Sequence, residues 1–189
     1  PWLKGGIPWS PYWWRTIRDI CNKHDILMIT DDVCTCWGKG GDYHGWKKYA
    51  VQPDISALGK SLTAGYTPLG CSVANKKVGD VLKKQDWEFG HTWQPTMTGI
   101  SAMNAVNNII VREKLFELCK PIEDSLRFFA EDCLDRKYIT GYRVSDLFLS
   151  LDVKEELDPE ALIQSGLALS KTRDKSVRIV ANFLADQEF

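Results

Sequence analysis

Two side chains in the first third of the sequence could act together in chemistry on a carbonyl group. Asp31 follows a short apolar run, and Lys60 follows a second one after a single glycine. A lysine that is shielded from water favours its neutral amine, which is a nucleophile for a carbonyl carbon. A shielded carboxylate needs a cationic partner, and a protonated pyridine nitrogen is one. Taken alone, the two residues also suit a solvated lysine and a turn-capping aspartate, so the pattern leaves both interpretations open.

The segments around these residues predict the elements that would position them. Residues 11–23 have the periodicity of a helix. The continuous apolar run 26–29 is typical of a strand buried on both faces, and residues 54–58 predict a second strand. Because parallel strands place their carboxyl ends at one edge of a sheet, Asp31 and Lys60 would lie over the same edge.

The rest of the chain predicts further elements and a change of pattern. They are a strand at 69–74, helices at 98–118 and 121–133, a strand at 146–153, a helix capped at Asp158 and a last strand at 177–180. The first part alternates helix and strand, which indicates an α/β fold. The change of pattern predicts that a second, smaller α+β unit begins near residue 115.

Composition and charge favour small-molecule chemistry. The 189 residues carry 24 basic and 25 acidic side chains, for a formal net charge of -1. That balance gives no electrostatic reason to expect a nucleic-acid partner or an anionic membrane. No apolar run approaches the roughly 20 residues that span a bilayer, and the first residues lack the build of a signal peptide. We therefore expect a cytoplasmic protein.

Six cysteines raise the question of disulfides and metal binding. The chain is too long and too rich in core residues for a small secreted domain held together by disulfides, so we expect free thiols. Cys34 and Cys36 form a C-x-C pair, but no second Cys/His pair stands at a spacing typical of zinc. We therefore expect no metal site and interpret these two cysteines as structural or pocket-lining residues.

Several segments resemble the signature of class III aminotransferases. ITDDV at 29–33, WGKGG at 37–41 and QPDISALGKSLTAGYTPLG at 52–70 have the order, spacing and residue types of that family. FGHTW at 89–93 and SVRI at 176–179 resemble its phosphate-contacting stretch and its C-terminal substrate-binding strand. The resemblance implies a fold-type I transferase. Its large domain, with a mixed and mostly parallel sheet, would include residues 1–114, and its smaller α+β domain residues 115–189.

The resemblance also implies roles for single residues on pyridoxal 5'-phosphate (PLP). Lys60 would form the Schiff base with the cofactor and then move the proton at the substrate's α-carbon. Asp31 would pair with the pyridine nitrogen and keep it protonated. Val33 would pack on a ring face, Cys34 would stand where the family contacts the ring hydroxyl, and Thr92 would bind the phosphate. That phosphate is usually held by the other subunit in this family, so a homodimer is implied.

Substrate binding is expected at Arg178 and Trp37. Arg178 would hold a substrate carboxylate through a bidentate pair, a geometry that suits arginine better than lysine. Trp37 stands in the glycine-rich segment that follows the cofactor positions. The substrates implied by the resemblance are an amine or amino acid donor and a keto acid or aldehyde acceptor.

The sequence departs from the family pattern close to Asp31. The usual Asp-Glu pair is Asp31-Asp32, a shortening by one methylene of little expected consequence. A common glutamine is replaced by Cys34, a poor hydrogen bonder. A common glycine is replaced by Cys36, which would narrow the space beside the cofactor. The phosphate-cradling turn and the stacking aromatic that the family's first half supplies are also missing, so we expect a fragment of a longer enzyme.

The expected function is that of a class III, PLP-dependent aminotransferase that works through a Schiff base at Lys60. Two alternatives stay open. Another PLP reaction, such as that of an aminomutase, racemase or decarboxylase, could use the same scaffold, because Lys60 and Asp31 do not fix which bond breaks. A catalytically silent fragment could serve as a dimerising module, and the missing phosphate turn and Cys34 favour that interpretation.

Overall fold

The computed structural model describes residues 7–86, 90, 92, 94–154, 170–171 and 175–181. These residues form two compact units. One unit comprises Ser10–Leu115, and the other comprises the described residues from Phe116 onward together with residues 7–9. Each unit has its own sheet and its own apolar core.

The first unit opens with a helix that begins and ends where its sequence signals indicate. This helix, α1, spans Pro11–Lys23, with Ser10 as its cap and proline at its first position. Its buried face packs against Met28 and Val51. The helix predicted over residues 11–23 is therefore confirmed.

Three strands form the sheet of the first unit, in the spatial order β1-β2-β3. They are β1 over Ile29–Asp31, β2 over Ile55–Leu58 and β3 over Cys71–Ala74. β1 runs parallel to β2, with Asp31 opposite Ala57, and β3 runs antiparallel to β2. The sheet is therefore mixed, and the carboxyl ends of β1 and β2 lie at one edge.

The prediction of a first strand over residues 26–29, buried on both faces, is wrong in two respects. The strand begins only at Ile29, and Ile29 is 65% exposed whereas Met28 is 6% exposed. Met28 packs against Val51 and α1, while the side chain of Ile29 stays open among the described residues. An apolar run predicts burial, but it does not tell which face of a strand a neighbour will cover.

Two helices follow β3. Sequence reasoning missed the short helix α2, Lys76–Leu82, although Asn75 caps it through its side chain. The longer helix α3 spans Met97–Arg112 and ends before the predicted limit of 98–118. It stops there because Lys114 adopts a left-handed backbone with φ +51°, which a right-handed helix cannot continue.

The second unit is a helix packed on a four-stranded antiparallel sheet. The helix, α4, spans Cys119–Asp135. The strands, in the spatial order β4-β5-β7-β6, are β4 over Gly141–Ser145, β5 over Phe148–Asp152, β6 over Ser170–Lys171 and β7 over Ser176–Val180. Leu149 and Val177 belong to the core beneath α4. Sequence reasoning predicted α4, β5 and β7 but missed β4 and β6. The helix predicted at Asp158 lies outside the described residues.

The mixed sheet of the first unit and the helix-on-sheet arrangement of the second confirm the α/β fold class. The division into a large domain of residues 1–114 and a small domain of residues 115–189 stays a prediction. Within the described ranges, no helix has both the length and the apolarity that crossing a membrane requires.

Candidate active site

Lys60 lies just beyond the carboxyl end of β2, where the chain leaves the sheet. It begins a 3-10 turn, Lys60–Thr63, directly after the extended Gly59. Its backbone has a φ of +44°, a left-handed conformation that costs a residue with a side chain about 1–2 kcal/mol. The side chain is exposed, and its Nζ donates to Cys34 Sγ at 2.7 Å. The turn thus holds the amine beside the segment that follows β1.

This 3-10 turn is anchored on both sides. Leu62 is fully buried, and the Thr63 hydroxyl donates to the Thr67 carbonyl at 2.6 Å. A methyl group on Gly59 would approach Val33 Cγ1 to 3.3 Å, so glycine permits the close contact between this turn and the segment after β1. Packing on both sides therefore offsets the backbone strain at the first residue of the turn.

An open groove borders Lys60 on the side of β3. It has a volume of about 1400 Å³, and its largely apolar walls include Tyr66, Pro68 and Ile100. Tyr66 is 86% exposed. A small molecule can therefore reach the lysine from this side.

Asp31 is the last residue of β1, and its side chain is exposed. Its Oδ1 accepts a hydrogen bond from the backbone N–H of Val33 at 3.1 Å. Asp31 stands opposite Ala57 in the parallel pair, and Lys60 follows Ala57 shortly after the end of β2. The carboxylate and the amine that the sequence singled out therefore lie at the same edge of the sheet.

Asp32 takes the opposite direction from its neighbour and is 3% exposed. Its carboxylate accepts hydrogen bonds from the Thr35 hydroxyl and, at 3.3 Å, from the backbone N–H of Gly45. It also lies 3.2 Å from His44 Nδ1. Burial raises the pKa of Asp32, and these polar contacts oppose that shift. Because successive strand residues point to opposite faces, only one of the two aspartates can face a ligand at this edge.

His44 is held in turn by an aromatic neighbour. Its ring stacks on Trp46, with centroids 4.8 Å apart and an interplanar angle of 24°. Trp46 Nε1 donates to Ser56 Oγ at 3.0 Å, and Ser56 Oγ lies 2.9 Å from Thr30 Oγ1. A chain of contacts therefore links the loop of residues 33–46 to both β1 and β2.

The two cysteines of the C-x-C pair have different surroundings. Cys34 is half-buried and contacts Lys60. Cys36 is fully buried, its thiol donates to the Gly59 carbonyl at 3.4 Å, and burial raises its pKa to about 11. The side chain of Cys36 belongs to the core, and its narrowing of the space beside the cofactor stays a prediction. In the described part of the chain, no three His, Cys, Asp or Glu side chains are grouped so that they could hold a metal ion.

Trp37 lies in the glycine-rich part of the same loop, with a left-handed φ of +54°. Its ring packs edge-on against Tyr43, with centroids 5.0 Å apart, and its buried Nε1 has no hydrogen-bond partner among the described residues. The Tyr43 hydroxyl donates to Asn107 Oδ1 at 2.8 Å and so ties the loop to α3. The ring therefore helps to pack the loop, and a substrate contact by Trp37 stays a prediction.

Thr92 and Arg178 are the two remaining predicted site residues. Thr92 lies in a turn and is exposed. Arg178 lies on β7 in the second unit, where it is 8% exposed and stands between Ser150 of β5 and Ser170 of β6. The phosphate contact of Thr92 and the substrate contact of Arg178 stay predictions.

Sequence reasoning missed the contacts of Asp32 and His44. The alternation of side chains along a strand could have indicated that Asp32 turns away from Asp31. No spacing rule pairs an aspartate with a histidine 12 residues later in a glycine-rich loop. That pairing follows only from the folded loop.

Comparison with solved structures identifies the class of protein. The ornithine aminotransferase of Plasmodium yoelii matches this chain with a TM-score of 0.87 at 26% identity, over 100% of this chain and 51% of its own. An amine transaminase from an uncultivated Pseudomonas species, solved in its PLP-bound form, matches with a TM-score of 0.81 at 26% identity, over 93% of this chain and 44% of its own. The fold is that of the fold-type I PLP-dependent transferases, as predicted.

Sequence comparison identifies the family. The pattern of class III aminotransferases matches residues 4–188, so the chain belongs to the class III aminotransferase family. The taurine–pyruvate aminotransferase of Bilophila wadsworthia is 30% identical over 172 residues, which are 87% of this chain and 38% of that protein. The chain thus spans less than half the length of this relative.

Proposed function

We propose that this chain is the lysine-bearing part of a PLP-dependent aminotransferase that moves an amino group from an amine or amino acid to a keto acid or aldehyde. One observation carries the proposal. The Lys60 amine and the Asp31 carboxylate lie at the carboxyl ends of two neighbouring parallel strands, in a chain of the class III family. When bound, PLP supplies an electron-accepting ring that stabilises negative charge on the substrate's α-carbon.

The side chains at this edge fit PLP chemically. The exposed carboxylate of Asp31 can receive a protonated ring nitrogen, which no neutral side chain would keep protonated. Val33 is half-buried, and its apolar side chain lies close to Gly59. Lys60 supplies an amine that is exposed at the border of the groove. The groups available to the cofactor are therefore one carboxylate, one apolar side chain and one amine.

In this proposal Lys60 performs two tasks. Its Nζ would hold the cofactor, and the same nitrogen would carry the proton at the substrate's α-carbon. Asp31 would hold the ring nitrogen and keep it protonated. Cys34 lies against Nζ at 2.7 Å and so borders the path of that proton.

The remaining roles belong to the same proposal. Thr92 binds the cofactor phosphate. Trp37 and Arg178 contact the substrate, and Arg178 binds the substrate's carboxylate. The enzyme works in the cytoplasm as a homodimer whose sites lie at the subunit interface. Light scattering of the chain with and without PLP tests the dimer.

Borohydride trapping tests the central assignment. The chain is incubated with PLP, reduced with borohydride and mapped by peptide mass spectrometry. We expect the reduced cofactor on Lys60 and its loss in the Lys60→Met variant. Lys39→Met is the matched control, because Lys39 stands in the neighbouring glycine-rich loop and keeps the Gly59-Lys60 turn intact.

The location of the label decides the outcome. A label on Lys39 or Lys171 in place of Lys60 would contradict the assignment. A label on Lys60 without amino transfer from any donor to any keto acid or aldehyde would limit the proposal to cofactor binding, and formation of a racemised or decarboxylated product would identify another PLP reaction.

A further inference from the structure

We propose that Asp32 and His44 are positioning residues of the cofactor site and act through the loop of residues 33–46. This inference rests on the proposed function, in which Asp31 and Lys60 hold PLP. Neither Asp32 nor His44 has a place among the groups that would bond the cofactor. Their contacts instead fix the loop that carries three predicted site residues, namely Val33, Cys34 and Trp37.

The loop is folded around the Asp32 carboxylate. The backbone carbonyl of Asp32 accepts the N–H groups of Thr35 at 3.1 Å and Cys36 at 2.8 Å. Its side chain accepts the Thr35 hydroxyl and the N–H of Gly45 at the far end of the loop. One residue thereby joins the first and the last turn of the loop. Cys34 lies inside the first of these turns.

Two glycines close the loop around this carboxylate. A methyl group on Gly45 would come within 2.6 Å of Thr35 Cβ and 3.2 Å of Asp32 Oδ1. A methyl group on Gly40 would come within 2.7 Å of the Gly45 Cα. These distances leave no room for a side chain at either position, so the loop is close-packed against the carboxylate.

His44 connects this carboxylate to the sheet. Its Nδ1 lies 3.2 Å from Asp32 Oδ2, and its ring stacks on Trp46, which is hydrogen-bonded to Ser56 of β2. The imidazole is thus clamped between a buried carboxylate and an indole that is fixed to the sheet. Removing the imidazole alone would leave the buried Asp32 carboxylate without this partner. Such a loss destabilises the folded loop more than replacing both partners together would.

A positioning role and a merely structural role predict different results. A structural role would lower only the stability of the fold. A positioning role also changes the folded protein, because a looser loop exposes the Cys34 thiol and displaces the Val33 surface at the cofactor site. The reactivity of Cys34 and the affinity for PLP therefore distinguish the two.

The test compares His44→Asn with His44→Phe in the 189-residue chain. Asparagine puts a side-chain nitrogen near the position of Nδ1 and keeps the bond to Asp32, but it loses the stacking on Trp46. Phenylalanine keeps the stacking on Trp46 and loses that bond.

The first readout needs no cofactor. It is the rate at which iodoacetamide alkylates Cys34 under native conditions, measured by peptide mapping. We expect His44→Phe to raise this rate about tenfold, the factor that one lost hydrogen bond corresponds to. His44→Asn, which keeps the bond but loses the stacking on Trp46, should raise it less.

The second readout is the PLP concentration that gives half-maximal borohydride labelling of Lys60. We expect it to rise about tenfold, again the effect of one hydrogen bond, in His44→Phe and in Asp32→Asn. His44→Asn, which keeps the bond to Asp32, should raise it less than His44→Phe does. The matched control is Asp42→Asn in the same loop. It removes the ion pair with Lys47 but keeps an oxygen that can accept from the Tyr43 N–H, so it should change neither readout.

Equal Cys34 alkylation rates in the parent, His44→Phe and His44→Asn would overturn the positioning role. If Asp32→Asn does not fold by circular dichroism, the two His44 variants decide the question. Absence of the Lys60 label in the parent chain would count against the proposed function alone, because the alkylation rates are measured without cofactor and still test the loop.

Discussion

The Nζ of Lys60 and the Sγ of Cys34 lie 2.7 Å apart, although the two residues are 26 positions apart in the sequence. One stands on the strained turn after β2, and the other stands in the turn after β1. The contact exists because β1 and β2 are parallel neighbours whose carboxyl ends meet at one edge. Cys34 is therefore a reporter for whatever binds the amine of Lys60.

The first prediction is that PLP protects Cys34 from alkylation. A cofactor bonded to Lys60 Nζ would cover the neighbouring thiol, so only the cofactor-free fraction can react. At a PLP concentration about ten times the Kd for PLP, about one tenth of the protein is free of cofactor. The alkylation rate of Cys34 should therefore fall about tenfold. The rate is measured by peptide mapping after timed iodoacetamide treatment. Cys133 of the second unit is half-buried as well and serves as the internal control.

The rate at Cys133 should not change with PLP. A rate at Cys34 that is equally insensitive, under conditions where Lys60 is labelled, would show that the thiol does not border the bound cofactor.

The second prediction ranks the two neighbouring aspartates. Asp31→Asn should lower amino transfer about 100-fold or more, as the removal of a charge from a reacting centre commonly does, and should shift the visible absorption of bound PLP. Asp32→Asn should keep the absorption of bound PLP and act only through weaker binding, because its carboxylate is buried in the loop. The measurements are the absorption spectrum and the transfer rate at saturating PLP. The opposite ranking would place the strand in a register shifted by one residue.

The third prediction concerns the strain at Lys60. Glycine tolerates a φ of +44° far better than alanine does, so Lys60→Gly should be more stable than Lys60→Ala by about 1 kcal/mol in free energy of unfolding. Ser125 is exposed in the interior of α4, where the order of the glycine and alanine variants should be reversed by about 1 kcal/mol because glycine weakens a helix. Urea titration of the four variants measures both differences.

Neither variant of Lys60 should be labelled by PLP and borohydride. An unfolding free energy for Lys60→Ala equal to that of Lys60→Gly would mean that this residue is not held in the left-handed conformation.

The strain at Lys60 also marks a limit of sequence reasoning. The dipeptide Gly59-Lys60 indicates a turn, and a positive φ would be expected on the glycine because it has no Cβ. The structure has the reverse, with Gly59 extended at φ -173° and Lys60 left-handed at +44°. Gly59 is needed for another reason, since a side chain there would crowd Val33, a residue distant in the sequence.

Local signals, in contrast, were sufficient for several elements. Ser10 and the proline after it mark the start of α1, and the apolar residues before Gly59 mark β2. Such signals act within one turn or one strand. The partners of Asp32 and the open face of Ile29 depend on chain segments far away, so local patterns could not predict them.

The last prediction concerns Asp54, which joins α1, β1, β2 and α2 at the start of the sheet. Its carboxylate accepts from the Met28 N–H at 2.8 Å, from Arg18 Nη1 at 2.7 Å and from Asn75 Nδ2 at 2.8 Å. Burial acts to raise the pKa of Asp54, but these hydrogen bonds outweigh it and hold the pKa below its ordinary value.

The sign of the pH dependence follows from that lowered pKa. A carboxyl whose pKa is lower in the folded state contributes stability above its unfolded-state pKa of about 3.9, and it loses that contribution as pH falls through the folded-state value. Asp54→Asn should therefore reduce the free energy of unfolding at pH 7 by about 2 kcal/mol, the effect of hydrogen bonds to a charged group. The difference between parent and variant should shrink as pH falls below about 4. Urea titrations between neutral and acidic pH measure it, with the exposed Asp135→Asn as the control that should leave stability nearly unchanged. A difference for Asp54→Asn that is constant over this range would show that its charge does not stabilise the fold.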